Sequence, residues 1–311
     1  MSALTMPIPV TAAWREAVRA RDPYIDLDHL LIGLITAGGA ASRLLTRHGL
    51  TVPSTRAAAR AAHADAVGLL GVDADRLPPT APQSLRELNQ DGRRMPMAGR
   101  AERLLGNLGA RAGERELLRA LLTEGSGTIT ELTERAGVDV GALLCEVESR
   151  GAWVTPVPRR ARYLEAQRAD GTVVVELDHF VAAELPLVRT VAIDQSHVAE
   201  WLILPDDMEP APDGGLRTTM SRRGRSSTLL VTLSTDEGCI RWTEHWDGEP
   251  TSWYDLHLVE AEGGTAVNLA RGVRPIGVLG AAMRPVIRQT NGLGLLLRAQ
   301  NLSMACAEVT E

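Results

Sequence analysis

The stretch C-I-R-W-T-E-H-W-D-G-E-P-T-S-W-Y-D-L-H-L-V-E, residues Cys239–Glu260, decides the fold of the second half of the chain. Apolar and polar residues alternate in Cys239–Trp246 and again in Trp253–Glu260, which is typical of strands with one buried face. Between them, Asp247–Pro250 supplies residues that tolerate the positive φ of a tight turn. The stretch therefore predicts an antiparallel hairpin.

The same alternation and the same kind of turn recur on both sides of this hairpin. Turn residues follow each segment, as in Asp236-Glu237-Gly238 and Glu262-Gly263-Gly264. The pattern predicts a sequential antiparallel meander with a short helix near 196–204 and a final helix from about Val278. The further predicted strands are Leu187–Ile193, Leu216–Ser221, Thr228–Ser234 and Thr265–Val273.

The final helix has apolar residues at helical spacing, and we expect this stripe to lie across the sheet. The stripe consists of Leu279, Met283, Val286, Ile287, Thr290, Leu293 and Leu297.

The first 150 residues are rich in Ala, Leu and Arg at helical spacing and contain an internal repeat. Each copy of the repeat predicts two helices, a glycine that ends the second helix, and the start of a third helix. The copies are Leu27–Val52 and Glu114–Val140. Gly49 and Gly137 are the stops, and Thr51 and Asp139 are suited to cap the helices that follow.

Composition excludes several classes of protein. The chain of 311 residues has a net charge of −6 and 33 basic residues, all of them arginine. Without lysine it cannot contain a P-loop, a pyridoxal phosphate Schiff base or an S-x-x-K site. Cys145, Cys239 and Cys306 lack metal-site spacing, and no H-E-x-x-H or G-x-S-x-G motif occurs. We expect no metal and no cofactor.

The change of periodicity predicts an α+β protein with two domains. We place a helical domain at 1–150, a linker and lead-in strand at 151–184, and a sheet domain at 185–311. The prolines of Thr155–Arg162 interrupt any helix at the start of the linker. No signal pattern and no long uncharged apolar run occur, so we expect a cytoplasmic protein.

The second half resembles the START-like/polyketide cyclase (SRPBCC) superfamily. The strongest matches are E-G-G-T-A-V-N-L (Glu262–Leu269) and P-I-G-V-L-G (Pro275–Gly280), which precede the long helix. The resemblance implies a helix-grip fold, in which an antiparallel sheet wraps around a C-terminal helix and encloses a cavity for a hydrophobic ligand.

Strand parity indicates which residues line such a cavity. We expect an apolar lining with one carboxylate, Glu244, which either pairs with an arginine or water or acts on a ligand. The ion-paired interpretation is favoured, so we predict no catalytic residue, and Glu244 is the candidate only if the domain is an enzyme. The predicted ligand-binding residues are Leu229, Val231, Trp242, Glu244, Tyr254, Leu256, Met283 and Ile287.

About residues 10–150 resemble the Clp N-terminal repeat of the ClpA/ClpC unfoldases. I-D-L-D-H-L-L-I-G-L-I (Ile25–Ile35) and L-x-x-H-G-L (Leu45–Leu50) match the first repeat, and the second keeps the E-G-x-G and G-V-D turns. The resemblance implies a docking module for peptides, adaptors or cyclic-peptide antibiotics, as in actinobacterial relatives. The family's groove positions correspond here to Val10, Thr11, Met97 and Arg100.

These observations favour a non-enzymatic binding protein, an accessory, adaptor or decoy of the Clp protease system with a hydrophobic small-molecule domain. An alternative is a cyclase or aromatase that uses Glu244 with Tyr254 or Arg241. A second alternative is a winged-helix, ligand-responsive DNA-binding regulator with Val140–Ser149 as recognition helix. That helix offers Ala142, Cys145 and Glu146, which cannot donate to phosphates, so nucleic acid is a poor fit.

Overall fold

The structure is a computed structural model that describes residues 7–69, 96–109, 112–149, 159–160, 172–212, 214–222, 225–236, 238–275 and 284–310. The chain divides into two compact units, Met1–Thr155 with the last two residues, and Pro156–Val309. The segment 151–184 therefore contributes its strand to the second unit. We describe the first as the helical unit and the second as the sheet unit.

The helical unit consists of two successive groups of four described helices. The internal repeat of the sequence corresponds to the last three helices of each group. The first group is α1 (Pro7–Ala20), α2 (Leu27–Thr36), α3 (Gly39–Arg47) and α4 (Val52–Gly68); the second is α5 (Gly99–Asn107), α6 (Glu114–Leu122), α7 (Thr128–Arg135) and α8 (Val140–Glu148).

The predicted helix stops and caps of the repeat are confirmed. Gly49 and Gly137 have φ of 92° and 76°, which a glycine adopts without steric cost. Thr51 caps α4 in a reciprocal capping box with Ser54, and the carboxylate of Asp139 accepts from two backbone amides at the start of α8. These local signals place the helix boundaries where the sequence puts them.

The core of the helical unit lies between the two repeats. Helix α2 packs against α7 and α6, and α3 packs against α6. The leucines predicted to meet there are all at most 3% exposed; they are Leu30, Leu31, Leu34, Leu44, Leu117, Leu118, Leu121 and Leu132. Each repeat therefore buries the apolar face of the other.

The sheet unit is built on one eight-stranded antiparallel sheet in the order β1-β2-β8-β7-β6-β5-β4-β3. Strands β4 to β8 form the predicted meander, and β2 pairs with β8 along its whole length. The strands are β1 (Arg159–Arg160), β2 (Val173–Val181), β3 (Glu209–Pro210), β4 (Leu216–Arg222), β5 (Arg225–Asp236), β6 (Cys239–Trp246), β7 (Glu249–Ala261) and β8 (Gly264–Val273).

The turns of the meander have the backbone that their residues predict. Asp247 and Gly248 both have positive φ, 51° and 88°, between β6 and β7. Two successive positive φ angles characterise the type I′ turn, whose twist matches that of the flanking strands. Gly238 and Gly263 also have positive φ in the neighbouring turns.

Three helices complete the described part of the sheet unit: α9 (Leu185–Ile193), α10 (Gln195–Trp201) and α11 (Arg284–Val309). The predicted strand at Leu187–Ile193 is therefore wrong. Pro186 stands in the first turn of α9, where a missing amide costs nothing, and the buried Val188, Val191 and Ala192 lie on one helical face. The segment is too short for its apolar spacing to distinguish a helix, with period 3.6, from a strand, with period 2. Its β-branched residues favoured the strand.

The predicted inner stripe of the last helix is also wrong. Val286, Leu293 and Leu297 are 49%, 38% and 37% exposed. The buried face of α11 instead includes Asn291, Leu295, Ala299, Leu302 and Cys306. Apolar residues occur nearly all round this helix, and the sheet accepts the face on which leucines stand beside small and polar residues. Leu279 and Met283 lie outside the described residues.

Within the described part of the chain, no single helix has the length and apolar character to cross a membrane. The pair α2 and α3, bent by 101°, passes that test on length and composition alone.

Candidate functional site

The candidate site lies on the face of the sheet that α11 covers. Strand register places Trp242 beside Tyr254 and Tyr254 beside Arg271, so these three side chains share that face across β6, β7 and β8. Glu244 pairs with Ser252 at the end of the same rows, next to a register shift in β6. Polar groups therefore interrupt the apolar layer here, and they do so again at the buried His179 of β2, whose Nε2 lies 2.9 Å from Oγ of Ser303 on α11.

Five of the predicted ligand-binding residues are in the apolar core of the sheet unit. Their exposed fractions range from 0% to 4%; they are Leu229, Val231, Trp242, Tyr254 and Leu256. Nε1 of Trp242 donates to the carbonyl of Ala192 at 2.9 Å, which fixes the indole against α9. Ile287 is half-buried on α11, and Met283 lies outside the described residues.

Glu244 is held by two hydroxyl groups. Oγ of Ser252 donates to Oε2 in a short contact, and the Tyr254 hydroxyl donates to Oε1 at 3.2 Å. Ser252 is 5% exposed and Tyr254 is fully buried. The carboxylate is therefore anchored on both oxygens, and its orientation is fixed by the β7 strand.

Two arginines contact the ring of Tyr254. The guanidinium carbons of Arg271, on β8, and Arg298, on α11, each lie 5.0 Å from the ring centroid. This distance is typical of cation–π contacts, which strengthen when water is excluded. Nη1 of Arg298 also donates to the carbonyl of Gly294 at 3.1 Å. We call Glu244, Ser252, Tyr254, Arg271 and Arg298 the polar cluster.

Burial shifts the pKa of two residues of the polar cluster, Tyr254 and Arg298. Burial and the nearby Glu244 carboxylate raise the pKa of Tyr254, so the phenol stays neutral and donates its proton in a hydrogen bond. Burial lowers the pKa of Arg298, and the charge of Arg271 acts in the same direction. A guanidinium nevertheless stays charged at any physiological pH because its ordinary pKa is so high.

The cluster combines one carboxylate with two guanidiniums and two hydroxyl groups. Such a set is suited to orienting a polar group of a ligand by hydrogen bonds and charge. The predicted partner of Glu244 was an arginine or water, whereas the structure gives it the hydroxyl groups of Ser252 and Tyr254.

The candidate docking residues of the helical unit lie near the first helix of each repeat. On α1, Val10 is half-buried and Thr11 is exposed. Met97 is half-buried and forms a parallel bridge with Ile25, the residue before the Asp26 cap of α2. Arg100, in the first turn of α5, donates from Nε and Nη2 to the Asp26 carboxylate, both at 2.6 Å.

A pocket of about 420 Å³ lies beside Arg100. Leu27, Leu104 and Leu108 contribute apolar surface to its wall, and Glu124 lies at its edge. Arg100 thus has a structural ion pair with Asp26 and also borders an open apolar recess. The pKa of the Asp26 carboxyl is lowered because its bonds to Arg100 and to the Leu27 amide outweigh the effect of burial.

His29 is a hydrogen-bonded core residue, as its place in the sequence predicts. Its Nδ1 accepts from the Asp26 amide at 3.1 Å in the capping box of α2, and its Nε2 lies 3.0 Å from Asp22. Burial opposes a charge on His29, but the bond to Asp22 and the Asp28 charge outweigh it and raise its pKa. Asp22, Asp28 and His29 could together offer three ligand atoms to a cation.

Sequence reasoning missed Ser252, Arg271, Asn291 and Arg298. One signal was available for Arg271. Counted from the buried Val267 and Leu269, it occupies an inward position of β8, where an arginine is unusual. Arg298 and Asn291 gave no comparable signal because the inward face of α11 was assigned to the opposite side.

No protein-family model matches the chain, and no curated protein matches it. The C-terminal part is similar to solved structures at low identity. TTHA0849 from Thermus thermophilus is 14% identical, with 44% of this chain and 99% of that chain covered and a TM-score of 0.34. SA2116 of Staphylococcus aureus, a protein of unknown function, is 14% identical over 45% of this chain and 96% of its own, with a TM-score of 0.36. Ara h 8.0201 is 14% identical over 43% and 99%, with a TM-score of 0.30. Because these scores are below 0.5, the description of the fold rests on the strand order and register of this chain.

Proposed function

We propose that the protein is a non-enzymatic binding protein whose sheet unit takes up a hydrophobic small molecule between the sheet and α11. The observation that carries the proposal is the polar cluster, whose charged and hydroxyl groups lie among the apolar residues of the sheet face under the helix. Small-molecule sites typically combine apolar walls with a few placed polar groups. The helix-grip resemblance of the sequence supports the same location.

Binding fits the geometry of Glu244 better than catalysis does. A general base must direct a free lone pair at the proton that it abstracts, and each hydrogen bond that it already accepts occupies one of its lone pairs. Both oxygens of Glu244 already accept hydroxyl protons, and the neutral Tyr254 is occupied as a donor. We therefore expect Glu244→Gln to alter ligand affinity modestly and to remove no turnover. A Glu244-dependent conversion of a polyketide-like substrate would favour the cyclase alternative instead.

The helical unit is, in this proposal, a docking module of the Clp N-terminal type that binds an apolar peptide or cyclic peptide. The paired groups of four helices and the pocket beside Arg100, whose wall includes three leucines, support it. A DNA-binding role fits less well because the exposed positions of α8 include Ala142 and Cys145, which offer no donor to phosphate. A Clp-associated accessory, adaptor or decoy protein would combine both binding functions.

Nile red, a neutral apolar dye, tests the sheet-unit proposal on the full-length protein. We expect saturable binding that perturbs tryptophan fluorescence, since Trp242 is in the core beside the site. Ile287→Trp should weaken dye binding because it enlarges a half-buried side chain of α11. Val286→Trp is the matched control on its 49% exposed neighbour and should have no effect. Absence of dye binding, or equal loss in both variants, contradicts the proposal.

An apolar peptide tests the docking proposal by calorimetry at two salt concentrations. We expect weak salt dependence because aliphatic surface supplies the affinity. Met97→Glu and Leu104→Glu should each weaken binding, whereas Leu69→Glu, at an 89% exposed position at the end of α4, should not. Salt-sensitive binding to duplex DNA without peptide binding would support the regulator alternative.

A further inference from the structure

The charges of the polar cluster do not balance. Arg271 and Arg298 bring two positive charges to the ring of Tyr254, and Glu244 brings one negative charge. On β2 and β7, Glu176, Asp178 and Asp255 alternate to the opposite face, where Asp255 bonds Arg241 and Asp178 bonds Asn268. The remaining carboxylates of β7, Glu249 and Glu260, are exposed. Arg271 and Arg298 are half-buried, and among the described residues the cluster has one more positive than negative charge, so it is suited to one additional anion.

Hydrogen-bond donors of the polar cluster and of the buried face of α11 also lack acceptors. Nε of Arg271, Nε of Arg298 and Nδ2 of Asn291 are buried and have no hydrogen-bond partner in the described part of the chain. All three atoms are donors. Asn291 is 4% exposed and lies two helical turns before Arg298 on the same side of α11. Unmet buried donors cost free energy, and an acceptor with several lone pairs would satisfy them.

Gly294 leaves room for the two guanidiniums. A Cβ atom at this position would lie 3.0 Å from Nη1 of Arg298 and 3.6 Å from Nη1 of Arg271. The two Nη1 atoms therefore approach the same point on α11 from the helix and from the sheet. Two planar, charged forks that converge in this way match the geometry with which proteins bind carboxylates.

We propose that Arg271, Arg298 and Asn291 bind the carboxylate of the hydrophobic ligand, so that the ligand class is an apolar molecule with one acidic group. This inference rests on the proposed function of the sheet unit. A single carboxylate supplies the one missing negative charge and accepts from the three unpartnered donors. The apolar body of the ligand would lie against the neighbouring inward residues, among them Val175, which pairs with Arg271, and Leu295.

The test compares acids with matched alcohols on the full-length protein at pH 8. The probe pairs are decanoate with 1-decanol and 2-naphthylacetate with 2-naphthaleneethanol, titrated by calorimetry. We expect each acid to bind about tenfold or more tightly than its alcohol, as charge-assisted bonds to half-buried guanidiniums imply. Equal affinities within both pairs would overturn this inference and leave the proposed function standing. If neither member of either pair binds, both fail.

Variants assign the preference to the arginines. In Arg298→Met and Arg271→Met the acid should lose its advantage while the alcohol binds as before. Arg217→Met, at an exposed position of β4 in the same sheet, is the control and should keep the wild-type ratio. Without ligand, Arg298→Met should raise Tm by a few degrees because it removes an uncompensated half-buried charge. A lowered Tm with an unchanged acid preference would contradict the charge argument.

A second substitution covers the case in which the methionine variants fold poorly. Arg298→Lys keeps the positive charge but replaces the planar fork by a single ammonium group. We expect it to fold, to bind the alcohols as the wild type does and to lose part of the acid preference. A wild-type acid preference in Arg298→Lys and Arg271→Lys alike would show that the bidentate geometry is not used, and would overturn the proposal.

Discussion

The three cysteines show how the same side chain acquires different chemistry from its surroundings. Cys145 is exposed on α8, Cys239 is half-buried at the start of β6, and Cys306 is buried on the inner face of α11. Burial raises the pKa of Cys306 to about 12. The thiolate is the reactive form, so this thiol is inert at ordinary pH as long as the protein is folded.

We expect a thiol reagent at pH 8 to label Cys145 rapidly and Cys306 only after unfolding. Labelling is followed by absorbance in the native protein and in denaturant. Cys145→Ser should remove the fast phase, and Cys306→Ser should leave native labelling unchanged. A smaller number of native thiols in Cys306→Ser would show that the inner face of α11 opens without global unfolding.

Leu31 tests the core between the repeats at the level of one residue. Its side chain is fully buried, so Leu31→Asp places an unpaired carboxylate among leucines. We expect a loss of about 3–5 kcal/mol of unfolding free energy, measured by denaturant titration of the helical signal. Leu69→Asp, at an 89% exposed position, is the control and should change stability little. An equal effect of both substitutions would contradict the assignment of Leu31 to the core.

At the scale of elements, α3 depends on a residue from the other repeat. Its N-cap, Gly38, has no side chain, so the first amides of α3 have no local acceptor. The carboxylate of Glu114, the first residue of α6, accepts from the amide of Ala41 at 3.1 Å, and its Oε1 would lie 3.0 Å from a Cβ at Gly39. Gly39, with φ of 88°, and the Glu114 carboxylate from the second repeat together take the place of a side-chain cap.

Glu114→Ala should therefore cost about 1–2 kcal/mol of unfolding free energy, the amount typical of a lost helix cap. Denaturant unfolding of the full chain measures it. Glu102→Ala changes an exposed glutamate in the first turn of α5 and serves as the control, since its loss should be within about 0.5 kcal/mol. A loss no larger than that of the control would show that solvent caps α3 equally well.

The elements that the sequence predicts correctly are those with local signals. The bounds of β6 match at both ends, and the strands of the meander match to within a few residues, because hairpin turns mark where strands stop. The repeat was recognisable from its glycine stops and caps. Local signals failed at Leu187–Ile193 and on α11, where the choice of period or face depends on what packs against the element.

At the scale of the whole molecule, the candidate site depends on contacts that local patterns do not contain. Glu244 and Tyr254 lie ten residues apart on one hairpin, so their common face follows from strand parity. Arg271 and Arg298 meet only because α11 crosses the sheet at a particular rotation. That rotation follows from the packing of the complete core, so it cannot be predicted from a local stretch of sequence.

The division into two units predicts independent folding. Each unit has its own buried core, with Leu30 and Leu117 in one and Trp242 and Tyr254 in the other. Residues 1–155 and 156–309, expressed separately, should each unfold cooperatively, and the first should give a purely helical circular dichroism spectrum.

In the full chain, Leu31→Asp should then move only the transition seen in the isolated helical unit. Arg298→Met should move only the transition of the sheet unit. A segment that fails to unfold cooperatively alone, or a substitution that moves both transitions equally, would show that the two cores form one cooperative structure.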